Sequence, residues 1–196
     1  MAKSSRADTE RHRQAIIDVA SRLLRERGES AISVQAIMSE VGLTHGGFYK
    51  HFSSKDELMN LAAAEAFSAL IETMSSVLAR SASRPAAWSE LVDTYLSAAH
   101  REDRAGGCAN TGLATDSARA GDGTGMRQAY VHGVAETLDA LVPYQDPADP
   151  SDSQQARLHM LIILVGALTL SRATAGTDLS DEIAVAARSL LLPAPR

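Results

Sequence analysis

The chain has one cysteine, Cys108, and few aromatic residues: one tryptophan, four tyrosines and three phenylalanines. A single cysteine excludes an internal disulfide framework and suits a reducing compartment, so we expect a cytoplasmic protein. The first thirteen residues are polar and charged, unlike a signal peptide. The most apolar run, residues 158–170, is shorter than a bilayer-spanning helix. The sequence therefore predicts no membrane partner.

Motifs that commonly mark enzymes are also missing. The chain has no glycine-rich phosphate loop, no G-x-S-x-G nucleophile motif and no paired catalytic carboxylates. Its histidines do not show the spacing of metal ligands on one helix, such as His-x-x-x-His. We therefore predict that the protein is not an enzyme and holds neither a metal nor a cofactor.

The abundant residue types predict helices, and the charged residues are unevenly distributed along the chain. Alanine, leucine, serine and arginine dominate, no alternating strand pattern extends beyond a few residues, and an all-α fold follows. The net charge is −5. Residues 1–55, however, carry nine Lys or Arg against six Asp or Glu, whereas the remainder has ten against eighteen. A basic N-terminal part on an acidic remainder is typical of a DNA-binding domain joined to a domain with another role.

Residues 33–52 have the pattern of a helix-turn-helix. Apolar residues in helical spacing predict a short helix over residues 34–40, and Gly42 suits the point where the chain leaves it. Thr44 is placed to cap a second short helix with its hydroxyl. That helix has Phe48 and Phe52 as apolar anchors and polar side chains on its other edge, so we interpret it as the element that reads the major groove.

The run from Val41 to Leu58 resembles the signature of the TetR family of bacterial transcriptional regulators. The resemblance implies a three-helix DNA-binding domain over residues 1–55 and a helical ligand-binding and dimerisation domain over residues 56–196, with about nine helices in all. Positions that match the family's DNA contacts are Ser33, Thr44, His45, Gly47, Tyr49, Lys50, His51 and Lys55. His45 stands where the family often has lysine or arginine, which implies a different base readout. The implied partner is a double-stranded DNA operator.

The remaining helices are predicted from the capping residues, glycines and prolines at their ends and from the spacing of apolar residues between those ends. We predict a first helix over residues 10–27, a long fourth helix from the capping box at residues 54–57, and a weak helix over residues 108–119. Residues 143–153 form a predicted loop. The last two helices are predicted over residues 154–175 and 180–192. The first of them is apolar on nearly all sides, which favours a homodimer through this pair over a purely internal core.

A pocket between the helices of the second domain would hold a small-molecule effector, as bundles often do. Its predicted walls are large apolar or polar side chains in the second domain: Phe67, Met74, Trp88, Tyr95, Cys108, Asn110, Tyr130 and Met160.

Cys108 has two interpretations. It follows two glycines, with Arg101 and Arg104 nearby in sequence, and thiols near positive charge ionise and react more readily. The glycine–cysteine pair also resembles a branch of the family in which such a cysteine senses electrophiles or oxidants. The alternative is a small buried apolar residue, since free cysteines are often structural.

The leading hypothesis is a dimeric repressor that binds a pseudo-palindromic operator and is released by a small molecule. Alternatives are a repressor that senses electrophiles or oxidants through Cys108, an activator or DNA-binding protein without a ligand, and a cysteine-dependent enzyme with His100 or His132 as base.

Overall fold

A computed structural model describes residues 6–121, 123–145 and 153–192 of the chain. Over these residues it contains ten α-helices, three short 3-10 helices and no strand, which confirms the all-α prediction. The α-helices are α1 (Arg6–Arg27), α2 (Val34–Glu40), α3 (Lys55–Arg80), α4 (Arg84–Tyr95), α5 (Ala98–Glu102), α6 (Ala109–Gly112), α7 (Ala114–Arg119), α8 (Gly125–Ala140), α9 (Gln154–Ala173) and α10 (Asp178–Leu191). The 3-10 helices are Glu29–Ala31, His45–Lys50 and Val142–Tyr144.

Helix α2 has the predicted bounds because both of its ends carry strong local signals. The Ser33 hydroxyl oxygen accepts a hydrogen bond from the Ala36 amide at 3.1 Å and caps the first turn. At the other end Gly42 adopts φ +77°, and the Leu43 amide donates to the Met38 carbonyl at 2.8 Å. This is a Schellman-type ending, which requires a residue that tolerates positive φ.

The structure differs from the sequence-based predictions at three points in the N-terminal region. Helix α1 begins at Arg6, a turn earlier than expected. The predicted second short helix, residues 45–50, is a 3-10 helix, because Gly46 and Gly47 lower the propensity for an α-helix. The hydroxyl of Thr44 makes no capping hydrogen bond; instead its carbonyl accepts from the Gly47 amide at 2.9 Å. We call residues 6–54 the head, residues 44–52, which contain this 3-10 helix, the reading segment, and the helices from α3 onward the body.

Helix α3 connects the head to the body. It begins at the predicted capping box, where the Ser54 hydroxyl oxygen accepts from the Glu57 amide at 3.0 Å. The Glu57 carboxylate returns to the preceding residue, accepting from the Ser53 amide at 2.7 Å and from its hydroxyl at 2.6 Å. The helix makes its most extensive contacts with α1 and α8. It therefore packs on both the head and the body along its length.

The predicted helix over residues 108–119 is interrupted. It consists of α6 and α7, and the short α5 precedes it, so the body is more segmented than the sequence indicated. The predicted final pair is present as α9 and α10, which pack on each other. Ser171 and Ser180 join them, since each hydroxyl donates to the other residue's carbonyl, at 3.0 and 2.9 Å. The loop predicted for residues 143–153 lies largely outside the described residues.

One hydrophobic core extends from the head into the body. Buried residues of α1, α2 and the reading segment form a single cluster with the first half of α3, with Ala109 and Leu113, and with Met126 of α8. Two further clusters lie in the body around Val92 and Leu141. The boundary at residues 55 and 56 stays a prediction, and the apolar packing crosses it.

Two of the described helices, α3 and α9, are long and apolar enough to cross a membrane by length and composition alone. Core helices of proteins that never enter a bilayer pass the same test, so this observation is weak evidence for a span.

Candidate DNA-binding surface and ligand cavity

Aromatic residues hold the reading segment to the rest of the head. Phe48 and Phe52 are buried, and their rings stack with centroids 5.4 Å apart. The next residue after Phe48, Tyr49, points outward with 68% of its surface exposed. Anchored from one side in this way, the segment presents its opposite edge to solvent in a defined orientation.

Most of the predicted DNA contacts lie together on that exposed edge. Thr44, His45, Tyr49 and Lys50 are exposed, and the His45 and Tyr49 rings meet edge to face at 6.4 Å. Ser33, also exposed, stands at the N-terminus of α2. A Cβ on Gly47 would make only ordinary contacts, 3.7 Å from Met38 Cε and from Thr44 Oγ1, so the fold itself does not demand glycine there.

Lys55 and His51 are placed differently from the other predicted contacts. The Lys55 ammonium donates to the Glu29 carbonyl at 3.1 Å, which leaves two of its three protons for a phosphate. His51 is partly buried, and its Nδ1 has no hydrogen-bond partner. Burial lowers the pKa of His51, and the nearby His12, Arg13 and Lys50 lower it further. His51 therefore favours the neutral form.

Two basic residues of α1, which the sequence analysis missed, lie beside the reading segment. The Arg13 guanidinium carbon lies 5.1 Å from the centre of the Phe52 ring, and the His12 ring contacts His51 edge to face at 6.4 Å. Arg13 also pairs with Glu57 at 3.8 Å. Nothing in the local sequence marks these two positions as part of a DNA-binding surface.

A cavity of about 140 Å³ lies in the body, mostly between α3 and α4. Of the predicted pocket residues, Met74, Tyr95 and Cys108 line it. A narrow extension of about 20 Å³ shares these three residues and reaches Asn110. The remaining wall is largely aliphatic, with Leu70, Val77 and Leu91 among its side chains. The cavity is therefore apolar over most of its surface.

The other four predicted pocket residues do not line this cavity. Phe67 and Tyr130 pack against each other at 5.7 Å within the core that α3 shares with α8, and the Tyr130 hydroxyl donates to the Asn110 carbonyl at 2.8 Å. The Trp88 indole donates to the Leu191 carbonyl at 2.9 Å, which ties α4 to α10. Met160 is half-buried on α9. Large apolar side chains were good indicators of the core but poor indicators of the cavity.

The cavity has polar groups at both ends. His100 and Arg25 line it, and the described lining residues include no carboxylate. His100 Nδ1 lies 2.6 Å from the Tyr95 carbonyl, and burial lowers the pKa of His100. At the inner end the Tyr95 hydroxyl and the Asn110 side-chain oxygen are buried without a completed hydrogen bond, although Tyr95 lies close to the Cys108 thiol and to Thr111.

Arg25 belongs to α1 of the head, and it forms one of three hydrogen bonds that join the end of α1 and nearby Glu29 to the body. Its Nε donates to the Ala105 carbonyl at 2.7 Å. In the second link the Glu29 amide donates to the Asp116 carboxylate at 2.8 Å. The third is the bond from Lys55 on α3 to the Glu29 carbonyl. The end of α1 is thus fixed to residues near the cavity.

Residues 103–108, which we call the junction loop, are also held by α9. The Arg172 guanidinium of α9 donates to three carbonyls at the start of the loop or just before it, those of His100, Arg101 and Asp103, at 2.8–3.1 Å. A Cβ on Gly107 would lie 2.4 Å from both Arg172 Nη2 and the Asp103 carbonyl, so only glycine fits. The junction loop therefore contacts the head, the cavity and α9.

In the described part of the chain, no group of three or more His, Cys, Asp or Glu residues is arranged to hold a metal ion. His132 lies exposed on α8 and pairs with Glu136 at 3.2 Å. His100 shares the cavity with Cys108, but its Nδ1 is engaged by the Tyr95 carbonyl.

Comparison with known proteins places the head in a family. Residues 16–62 match the model of the bacterial regulatory proteins of the tetR family. The chain is 37% identical over 60 residues to the HTH-type transcriptional regulator AcrR of Shigella flexneri. It is 36% identical over 73 residues to the HTH-type nicotine-responsive transcriptional repressor HdnoR of Paenarthrobacter nicotinovorans. These matches cover 31% and 37% of this chain but only 28% and 38% of the two relatives.

The similarity in fold extends much further than the similarity in sequence. A TetR-family transcriptional regulator from Cytophaga hutchinsonii superposes with a TM-score of 0.79, over 97% of this chain and 96% of the other. The two sequences are only 18% identical. The body therefore has the same architecture as the corresponding part of this regulator, although most residues differ between the two chains.

We expect stability to depend on pH through His100. Its pKa in the folded protein is below the ordinary value of 6.5, so the unfolded chain binds a proton first as the pH falls. The stabilising contribution is complete above 6.5 and is lost on acidification. Urea unfolding at about pH 7.5 and about pH 5.5 should show a smaller loss in His100→Gln than in wild type. The exposed His132→Gln serves as control, and an unchanged pH dependence in His100→Gln would contradict this assignment.

Proposed function

We propose that this chain, whose residues 16–62 match the model of the tetR family of bacterial regulatory proteins, is a dimeric transcriptional repressor that a small molecule releases from its operator. The two heads of the dimer would occupy half-sites about one helical turn, ~34 Å, apart on a pseudo-palindromic operator. The proposal concerns the whole chain, whereas the sequence relatives resemble mainly its head.

The observation that carries this proposal is the arrangement of the reading segment. Its aromatic anchors are buried, and Thr44, Tyr49 and Lys50 face outward on the same short element. Hydroxyl and ammonium groups of this kind donate hydrogen bonds to phosphates, and lysine also reaches guanine edges in the major groove. Ser33, His45, Gly47, His51 and Lys55 extend the proposed contact surface around it. The reading segment would therefore determine both affinity and base preference.

An apolar surface on α9 and α10 supports a homodimer. Ile162, Leu170, Val185 and Leu190 are 56–72% exposed, which is unusual for four large apolar side chains on two adjacent helices. Gly166 of α9 has no neighbouring atom within 4 Å of where a Cβ would stand, so a second backbone could approach closely there. A copy of the same helix pair would cover this surface with two-fold symmetry.

Control by a ligand is supported by the cavity and by its connection to the head. Arg25 lines the cavity and belongs to α1, while the junction loop joins the cavity to α9. A ligand that prefers one arrangement of these elements lowers operator affinity by the amount of that preference. One relative of the head is described as a nicotine-responsive repressor, and we extend only the principle of small-molecule response to this chain.

A second candidate function is release through Cys108. The thiol is only 2% exposed, yet it lines the cavity, so a small electrophile that enters the cavity would reach it. Arg101, one of the neighbours considered in the sequence, is engaged by Asp181 and by the Leu96 carbonyl. The geometry favours a non-covalent ligand as the first candidate, with Cys108 as part of its wall.

Selection from a random DNA library, followed by a mobility shift on the selected sequence, tests the function directly. A two-fold symmetric consensus would support the dimeric regulator, and a reporter placed behind that consensus distinguishes repression from activation. Repeating the shift with N-ethylmaleimide on wild type and Cys108→Ser tests the thiol alternative, because only the wild type should then release DNA. The absence of any selected sequence would overturn the proposed function.

Lys50→Ala should weaken operator binding and make it less sensitive to salt. If the ammonium contacts one phosphate, the slope of log affinity against log salt falls by about 1 per contact. The matched control is Arg84→Ala, which removes an exposed cation at the start of α4 in the body. Fluorescence anisotropy of labelled operator over a salt series measures both slopes. Equal slopes for Lys50→Ala and wild type would exclude Lys50 as a phosphate contact.

Ile162→Glu should convert the dimer into monomers, because it places a charge in an apolar interface. The control is Val131→Glu on α8, since Val131 is 62% exposed and Ile162 is 64% exposed. Sedimentation equilibrium should give twice the 20.8 kDa chain mass for wild type and Val131→Glu, and the single chain mass for Ile162→Glu. A dimeric Ile162→Glu would remove α9 from the interface.

A further inference from the structure

Arg25 is a cation at the edge of an apolar cavity, and it has no anionic partner among the residues that the structure describes. Its guanidinium is partly buried, and burial lowers the pKa of Arg25, although an arginine stays protonated at neutral pH. Its one hydrogen bond, from Nε to the Ala105 carbonyl, leaves the two terminal nitrogens for other acceptors. Most of the other hydrogen-bonded or ion-paired arginines in the described part of the chain have a carboxylate partner, such as Asp181 for Arg101.

The other lining groups do not neutralise this charge. His100 favours its neutral form, and the remaining lining consists of aliphatic side chains, Tyr95, two threonines, two glycines and Cys108. Asp103 and Glu65 are near enough to influence Arg25 electrostatically, but neither forms an ion pair with it. Partial desolvation makes an unpaired guanidinium a strong site for an anion, because few water molecules compete for it.

The volume limits the size of what could bind. The cavity holds about 140 Å³, with the narrow extension beyond it. An apolar cavity of about 150 Å³ in another protein takes up benzene. One six-membered ring or a short branched chain would therefore fill the aliphatic part. Tyr95 also lines the cavity with 9% of its surface exposed, and its hydroxyl is available to a polar substituent of the ligand.

We propose that the cavity binds a small apolar acid, whose carboxylate pairs with Arg25 of the head and whose ring or short chain lies against the aliphatic wall. This inference rests on the proposed function and specifies its ligand class. The carboxylate binds the two terminal nitrogens and draws the guanidinium toward the cavity, so the bond from Nε to the Ala105 carbonyl, which links α1 to the junction loop, is weakened. The ligand thus acts on the DNA-binding head through a residue of the head itself.

Three probes of similar shape and different charge test the proposal: benzoate, benzamide and benzylamine. Isothermal titration of the wild-type chain should give benzoate the tightest binding, by about tenfold or more over neutral benzamide, as expected for a charge-assisted pair in a partly buried site. Benzylamine, which is cationic, should bind least. Equal or tighter binding of benzamide, or no saturable binding of benzoate up to about 10 mM, would overturn the proposal.

Variants of α1 locate the contact. Arg25→Gln should abolish the preference for benzoate, while Arg25→Lys should keep part of it because the charge remains. Arg27→Gln, which removes an exposed cation two residues away, should behave like wild type. Retention of the preference in folded Arg25→Gln would contradict the assignment, and the wild-type probe series remains decisive if that variant does not fold.

Operator binding without any probe separates this inference from the proposed function. If the wild-type chain selects and binds DNA but shows no preference for benzoate, the ligand class is wrong and the regulator stands. If the chain binds no DNA sequence, the proposed function fails whatever the titrations show.

Discussion

The structure depends on the burial of one apolar face along α3. Leu58, Met59 and Ala62 pack under the head, and Phe67, Met74 and Val77 continue into the body on the same helix. Because the helix is a single rigid element of 26 residues, a change in how its second half packs is transmitted to its first turn, where Lys55 holds the Glu29 carbonyl. The head has no hydrophobic core independent of this helix, and this makes its orientation sensitive to the body.

The junction loop adds a polar connection to that apolar one. Arg172 fixes its carbonyls from α9, the proposed dimer helix, while Arg25 reaches it from α1, and the cavity lies beside it. Three elements with different proposed roles thus share one short segment, in which Gly107 leaves no room for a side chain. Small displacements here would change both how the heads are spaced and how α1 is oriented, since packed interfaces respond by switching between arrangements and not by bending gradually.

The sequence predicted those features that neighbouring residues determine, and it missed those that depend on residues far away in the chain. Helix α2 was predicted to the residue because Ser33 and Gly42 set its ends through short-range hydrogen bonds. The path of the junction loop was not predicted, because its start is bonded by Arg172, about seventy residues away. Met74, Tyr95 and Cys108 line the cavity, whereas Phe67 and Trp88, which are indistinguishable from them in sequence, do not. Arg25 was missed because an arginine near a helix end usually lies in solvent, and only the tertiary fold brings it to the cavity.

The operator affinity of Asp116→Ala tests whether the body holds the head in the orientation that DNA requires. Asp116 lies in the body on α7, and its carboxylate accepts the Glu29 amide hydrogen bond from the head. Losing this link leaves the heads freer before binding, so ordering them on DNA costs more. We expect operator binding about tenfold weaker or more, with wild-type affinity in Asp139→Ala, which removes an exposed carboxylate of α8. Equal affinity of Asp116→Ala and wild type would show that this link does not orient the head.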